Sequence, residues 1–164
     1  MERIGVDPWT VAPRTRDEAE QEELADRSLG PVVRFGGVGG WSFALESWGA
    51  RGTSPLLAMK ISEGTEVLAF SSTADSTSVL IYAVDGDIVC QFDGDLPHLR
   101  RGTDPDLFRP EMIDAGLISA QDGMAAENAG IYGIISMVER RFEIGLRPED
   151  TEVGSLLSGR LRLQ

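Results

Sequence analysis

The sequence predicts an α+β fold: a five-stranded, mainly antiparallel sheet of two hairpins plus one strand, packed by a long C-terminal helix and shorter helices. Three observations carry that prediction. Ser78 to Asp93 (SVLIYAVDGDIVCQFD) reads as two strands joined by a two-residue Asp85-Gly86 turn. A second pair of strand-like runs flanks the glycines at 36–40. Towards the C-terminus, Ile131, Ile135, Val138 and Phe142 recur at helical spacing, backed by Ile134 and Met137.

Residues 1–14 are expected to be an extended arm, with Trp9 and Val11 packing on the domain. The stretch Ile4 to Thr15 has the Gly turn and Thr-Val of a helix-turn-helix centre, but Pro13 breaks the second helix one turn in. Thr15-Arg16-Asp17-Glu18 is a capping box, with Thr15 as cap and Glu18 reaching back. The helix it opens runs to about Ser28 and stops at Gly30-Pro31. With Ala19, Leu24 and Ala25 as its apolar residues, it is expected on the surface. Val32 to Phe35 and Trp41 to Trp48 should pair across a loop of Gly36 to Gly40, placing Val33, Phe35, Trp41, Phe43 and Leu45 on one inner face. That loop lacks the Lys-Ser/Thr of a phosphate cradle and joins two strands, so it reads as a flexible hairpin tip.

Ser54-Pro55 opens a short helix that ends near Gly64, and a strand from Thr65 to Ser71 follows. The polar loop Ser72 to Thr77 leads into the Asp85-Gly86 hairpin. Closing that turn sets Val84 opposite Asp87, Ala83 opposite Ile88, Ile81 opposite Cys90 and Val79 opposite Phe92. Val79, Ile81, Ala83, Ile88, Cys90 and Phe92 then share one apolar face. Asp104-Pro105 is expected to start a helix that runs to Ala115 with Gly116 as its stop. The longest helix should run from about Asp122 to Ile144, with Gly130 and Gly133 permitting close approach to strands. A short helix from Glu149 to about Leu157 and a tail of residues 158–164 complete the chain. No repeat or linker interrupts it, so 1–164 reads as one domain.

A chain of 164 residues can bury a core without disulfides or metals. No run approaches the ~18 apolar residues of a membrane span, and no basic-then-apolar leader is present. Cys90 is the sole cysteine and forms no internal disulfide, which fits a reducing compartment and a cytoplasmic location. Lys60 is the only lysine among 15 basic residues, a bias read as GC-rich coding. The net charge of −12 opposes nucleic acid and anionic membranes and favours a basic partner.

His98 is the only histidine, so no multi-histidine metal centre can form. Cys90, on the inner face, reads as apolar filler and not as half of a Cys–His pair. Asp85-Gly86-Asp87 and Asp93-Gly94-Asp95 lie at opposite ends of one strand. At ~3.3 Å per residue, Asp87 and Asp93 stand about 20 Å apart, and neither triplet is followed by the Glu of a calcium loop. No metal and no cofactor are expected. The hairpin's other face is the first candidate surface: Leu80, Tyr82, Val84 and Val89 with Asp87, Gln91 and Asp93. Either a helix covers it, or it is a partner surface or ligand groove. Trp48 with Arg51 just beyond is the second, both residue types being favoured binding anchors.

The spaced segments PVVRFGGVGGWSFALE, GTSP before a short helix, the strand–DG–strand hairpin, RRGTDPDLF and GLRPED together resemble one family. It is a group of small acidic actinobacterial proteins known as a domain of unknown function, and the resemblance spans nearly the whole chain from Gly5. It implies one fold and no particular activity. Two functions are therefore carried forward. The first is a non-catalytic acidic protein-binding module, immunity-like or regulatory, with a basic protein as partner. The second is a small enzyme or ligand-binding protein of a specialised biosynthetic pathway, its apolar groove bordered by Tyr82, Asp87 and Gln91. There a desolvated carboxylate beside an aromatic would act on a small molecule as acid or base.

Overall fold

The computed structural model describes residues 4–73, 78–126 and 130–162. The fold is α+β with antiparallel pairing, but the strands divide between a four-stranded and a three-stranded sheet and do not form one sheet of five. The chain splits into two compact units, Met1–Gly49 with Ile144–Gln164, and Ala50–Glu143.

The first unit is built on strands in the order β1 (Ala12–Arg14), β7 (Leu156–Arg160), β2 (Val32–Val38) and β3 (Trp41–Glu46). Part of the stretch expected to be a tail is thus a central strand: Ser158 lies opposite Ala12 on one side and Arg34 on the other. The helix expected over 149–157 is only the single turn α5 (Pro148–Thr151). The sequence hides β7 because its middle carries Ser158 and Gly159 where an apolar alternation would be sought. Gly159 is required by the arm that crosses it, since a Cβ there would sit 2.7 Å from Val6 Cγ1. That arm holds a 3-10 turn at Pro8–Thr10, capped by Asp7, whose carboxylate accepts from the Trp9 amide at 3.1 Å. Val11 packs on Val6, Val33 and Leu161 as expected, whereas Trp9 stands in solvent with 93 % of its surface exposed.

Gly39 and Gly40 have φ of 55° and 85°, so the β2–β3 connection is a two-residue turn with Val38 opposite Trp41. Gly36 and Gly37 belong to β2 and not to a loop. The Phe43 ring lies over Gly36, where a Cβ would fall 2.1 Å from Phe43 Cζ. The shorter connection also separates the expected inner face. Val33 and Phe35 point to one side of the sheet, and Trp41, Phe43 and Leu45 to the other.

The first helix, α1 (Arg16–Ala25), begins with the capping box read from the sequence: Glu18 N donates to Thr15 Oγ1, and Thr15 N to Glu18 Oε2. Its burial is of another kind than expected. Leu24 is exposed while Glu23 is buried, its carboxylate accepting from the Val32 amide at 3.0 Å. Arg160, also buried, donates Nε to Glu22 Oε1 at 3.3 Å and Nη1 to the carbonyls of Asp26 (3.1 Å) and Gly30 (2.8 Å). Arg14 holds the other oxygen of Glu22. A helix with few apolar residues packs because Arg14 and Arg160, on strands that meet it, pair with Glu22, whereas the buried Arg34 donates Nη2 to the Thr151 carbonyl and leaves its Nε without a hydrogen bond among the described residues.

In the second unit the sheet order is β4 (Glu66–Ser72), β5 (Ser78–Val84), β6 (Asp87–Asp93). Asp85 and Gly86 close the hairpin at φ of 50° and 89°, and the register agrees with expectation through Ala83 opposite Ile88. There it breaks. Val89 is an extra residue, so Cys90 lies opposite Tyr82, Gln91 opposite Ile81 and Phe92 opposite Leu80. The cause lies outside the hairpin. The amides of Thr103 and Asp104 bond the carbonyls of Ile88 and Val89, both at 3.0 Å. Successive carbonyls of a regular strand point to opposite edges, so one edge can take both only if the strand bulges. Gln91 and Arg101 then exchange two further backbone hydrogen bonds, at 2.8 and 2.9 Å.

The bulge redistributes the core. Leu80, Cys90 and Phe92 face the helices α3 (Arg109–Asp114) and α4 (Ile131–Phe142), meeting Phe108, Met112, Leu117, Ile134 and Met137. Ile81 and Ala83 face the helix α2 (Pro55–Ile61) through Ala58, with Val79 and Ile88 beside them. Both sheet faces are covered. The helix expected from Asp104 starts at Arg109, because residues 101–104 serve as the border of β6. The long helix is α4 alone, shorter than the expected 122–144, and residues 127–129 lie outside the described ones. Its buried face is Gly133, Ile134 and Met137, with Ile135 turned outward. The close neighbour that Gly133 admits is not a strand but the Leu117 side chain, in the bend after α3, which a Cβ would meet at 2.7 Å.

Candidate functional site

The hairpin turn, the end of α2 and the start of β4 meet at one end of the three-stranded sheet. The Gly64 amide donates to Asp85 Oδ1 at 2.9 Å, the Gly86 amide to Ser62 Oγ at 3.1 Å, and the Asp85 amide to the Thr65 carbonyl at 3.0 Å. Ser62 is fully buried, so this turn is fastened to the helix end and not loose in solvent. Around it stand four exposed carboxylates, Glu63, Glu66, Asp85 and Asp87. Asp87 faces Val84 across the turn, and Glu66 faces Val84 from β4.

Tyr82 borders this end. Its hydroxyl donates to Glu66 Oε2 at 2.7 Å, and its ring packs on Phe108 (centroids 5.3 Å apart) and Phe142 (5.4 Å). Burial, then the hydrogen bond and charge of Glu66, pushes the phenol up to about 12, with Arg141 opposing. Arg141 pairs with Glu111 at 3.4 Å. The phenol is held neutral beside a carboxylate and acts here as a donor that orients Glu66. Cys90 offers no nucleophile, since burial pushes its thiol up to about 12 and its Sγ–H donates to the Pro105 carbonyl. Among the described residues no group of three or more His, Cys, Asp or Glu side chains is placed to hold a metal ion. No helix among them is long and apolar enough to cross a membrane.

The residues singled out on the hairpin do not share one face. Leu80 is fully buried, packed among side chains that include Met112 of α3 and Ile134 and Met137 of α4. Tyr82, Val84 and Asp87 remain on that side. The bulge turns Gln91 and Asp93 to the opposite side, facing Ile81 and Val79. Val89 is the bulged residue, its carbonyl bonded to Asp104. Trp48 is 52 % exposed and belongs to the first unit, whereas Arg51 begins the Arg51–Thr53 turn of the second. Sequence reasoning missed Glu63, Glu66 and Asp85 as neighbours of Asp87. The signal was the Asp85-Gly86 turn, but the docking of Gly86 on Ser62 and the β4–β5 register supply the adjacency.

A family model described as "Family of unknown function (DUF6461)" matches residues 5–138. The match runs from the N-terminal arm through the three-stranded sheet and ends within α4, before β7. Comparison with curated proteins and with solved structures returned no match.

Proposed function

We propose that this chain, which belongs to the DUF6461 family of unknown function, is a non-catalytic acidic protein-binding module whose partner is a basic protein. The observation that carries this reading is the distribution of charge. Arg34 and Arg160 are buried, Arg14 is half-buried, and all three are engaged inside the first unit, while Glu63, Glu66, Asp85 and Asp87 stand exposed on an anchored turn. These carboxylates belong to a chain of net charge −12, and as a fixed cluster they offer a basic surface both steering and register. An immunity-like or regulatory role, in which the module neutralises or positions that partner, follows from the same chemistry.

The test pairs two baits in the host lysate: the native chain, and a variant carrying Glu63→Gln, Glu66→Gln and Asp87→Asn. Asp85 is kept because it caps Gly64. A stoichiometric basic protein should bind the native chain at low salt, leave at high salt, and bind the variant weakly at either. A partner held equally by both baits, or with affinity unchanged by salt, would refute the reading. The alternative of a small-molecule groove has less support, since Leu80 is fully buried and Gln91 lies on the opposite face from Tyr82 and Asp87.

A further inference from the structure

We infer that β3 is a docking edge for a second copy of this chain, which adds to it as an antiparallel strand about a two-fold axis. The four-stranded sheet ends on β3, six residues long with an unbroken register from Val38 opposite Trp41 to Val33 opposite Glu46. Val38 and Trp41 close the two-residue turn, so alternation directs the N–H and C=O groups of Ser42 and Ala44 away from β2. Among the described residues, no backbone hydrogen bond reaches those groups from another segment.

The chain guards two other edges, those of β6 and β1. The outer side of β6 is bordered by Arg101–Asp104 through four backbone hydrogen bonds, and β1 is three residues long with Pro13 exposed at its centre. Neither a proline, a lysine, an arginine nor a bulge interrupts β3 (WSFALE). The strand is also complementary to itself. Pairing about Ala44 sets Ala44 opposite its own mate, Phe43 opposite Leu45 of the second copy, and Ser42 opposite Glu46 of the second copy. Each pair matches apolar with apolar or polar with polar, and no like charges face one another. A single strand pair buries less than the ~1,200 Å² of a standard interface, so the dimer is weak and forms at high concentration. Because two chains of net charge −12 repel, added salt strengthens it, the opposite of what binding to a basic partner shows.

Sedimentation velocity from ~10 μM to ~1 mM, at low and high salt, tests this. The native chain should move from its 17.8 kDa monomer towards twice that mass as concentration rises, and further at high salt. Ala44→Pro removes an outward N–H that an edge strand can lose, and should leave a monomer at all concentrations. Ala44→Lys, whose side chain replaces an exposed methyl, should do the same and decides the matter if the proline variant fails to fold. A native chain that stays monomeric at the highest concentration would overturn the inference. So would a dimer that persists in a folded Ala44→Lys variant.

Discussion

Replacing Gly102 by alanine probes the contact that sets the hairpin bulge. Gly102 has φ of +138°, and a Cβ built there falls 2.2 Å from the Val89 carbonyl oxygen, 2.6 Å from its carbon and 3.0 Å from the Cys90 nitrogen. These are backbone atoms of a strand held on its far side by β5, so no rotamer change relieves the overlap. The alanine must push residues 101–104 off β6, which threatens four backbone hydrogen bonds: two between Gln91 and Arg101, and those from Thr103 and Asp104. Losing half of them at ~1 kcal/mol each, with ~1–3 kcal/mol of backbone strain, gives a destabilisation of about 3–5 kcal/mol. Gly86→Ala is the control. Its φ is +89°, but its nearest outside atom is Glu63 Cγ at 3.9 Å, so strain alone acts and costs about 1–2 kcal/mol. Urea unfolding followed by far-ultraviolet circular dichroism reads both variants. Equal losses in the two would show that crowding against Val89 contributes nothing, and the account of the bulge would fall with it.

Three further outcomes are expected. Arg160→Met should lose about 3–5 kcal/mol in urea unfolding, because it strands the carbonyls of Glu22, Asp26 and Gly30 and one carboxylate oxygen of Glu22; Arg160→Lys should recover less than half, having one point charge where the guanidinium bonds four acceptors. Cys90 should resist a thiol reagent at about pH 8 in native buffer and react fully in urea, since burial pushes its thiol up to about 12; rapid reaction of the folded protein would contradict its packing. Stability should be flat from pH 7 to about pH 5 and fall as the pH drops below about 4. Hydrogen bonds from Thr15 hold Glu18 below its ordinary value, and those from Ser28 do the same for Asp26. A depressed carboxylate stabilises above its unfolded pKa and loses that contribution as pH falls through its folded one. Glu18→Gln, which removes the titrating group at the Thr15 cap, should therefore flatten the acid limb of the urea midpoint, and an unchanged limb would refute the assignment.

Local signals were readable where short-range chemistry decides. The Thr15 capping box, the Asp85-Gly86 turn, the α2 start at Pro55 and the α4 position all depend on residues within one turn of one another. Signals that depend on counting along a strand survived only as far as the first irregularity. The hairpin register held for the pairs next to the turn and failed at Val89, where two amides from residues 103 and 104 inserted a bulge. That one residue also dissolved the expected site, since it sent Gln91 to the opposite face from Tyr82 and Asp87. The β2–β3 faces separated for a similar reason, as Gly36 and Gly37 entered the strand beneath Phe43.

Composition and local spacing by themselves determined an acidic α+β protein with antiparallel hairpins and a single histidine, too few for a multi-histidine metal centre, since these follow from residue types and from the two- and 3.6-residue periods. Tertiary structure decided that the strands form two sheets, that β7 lies between β1 and β2, and that a highly charged helix is a core element. Each of these rests on pairings between residues more than a hundred positions apart, such as Ser158 with Arg34 and Arg160 with Glu22. No periodicity encodes such partners, because what selects them is the shape and charge of the surface they bury.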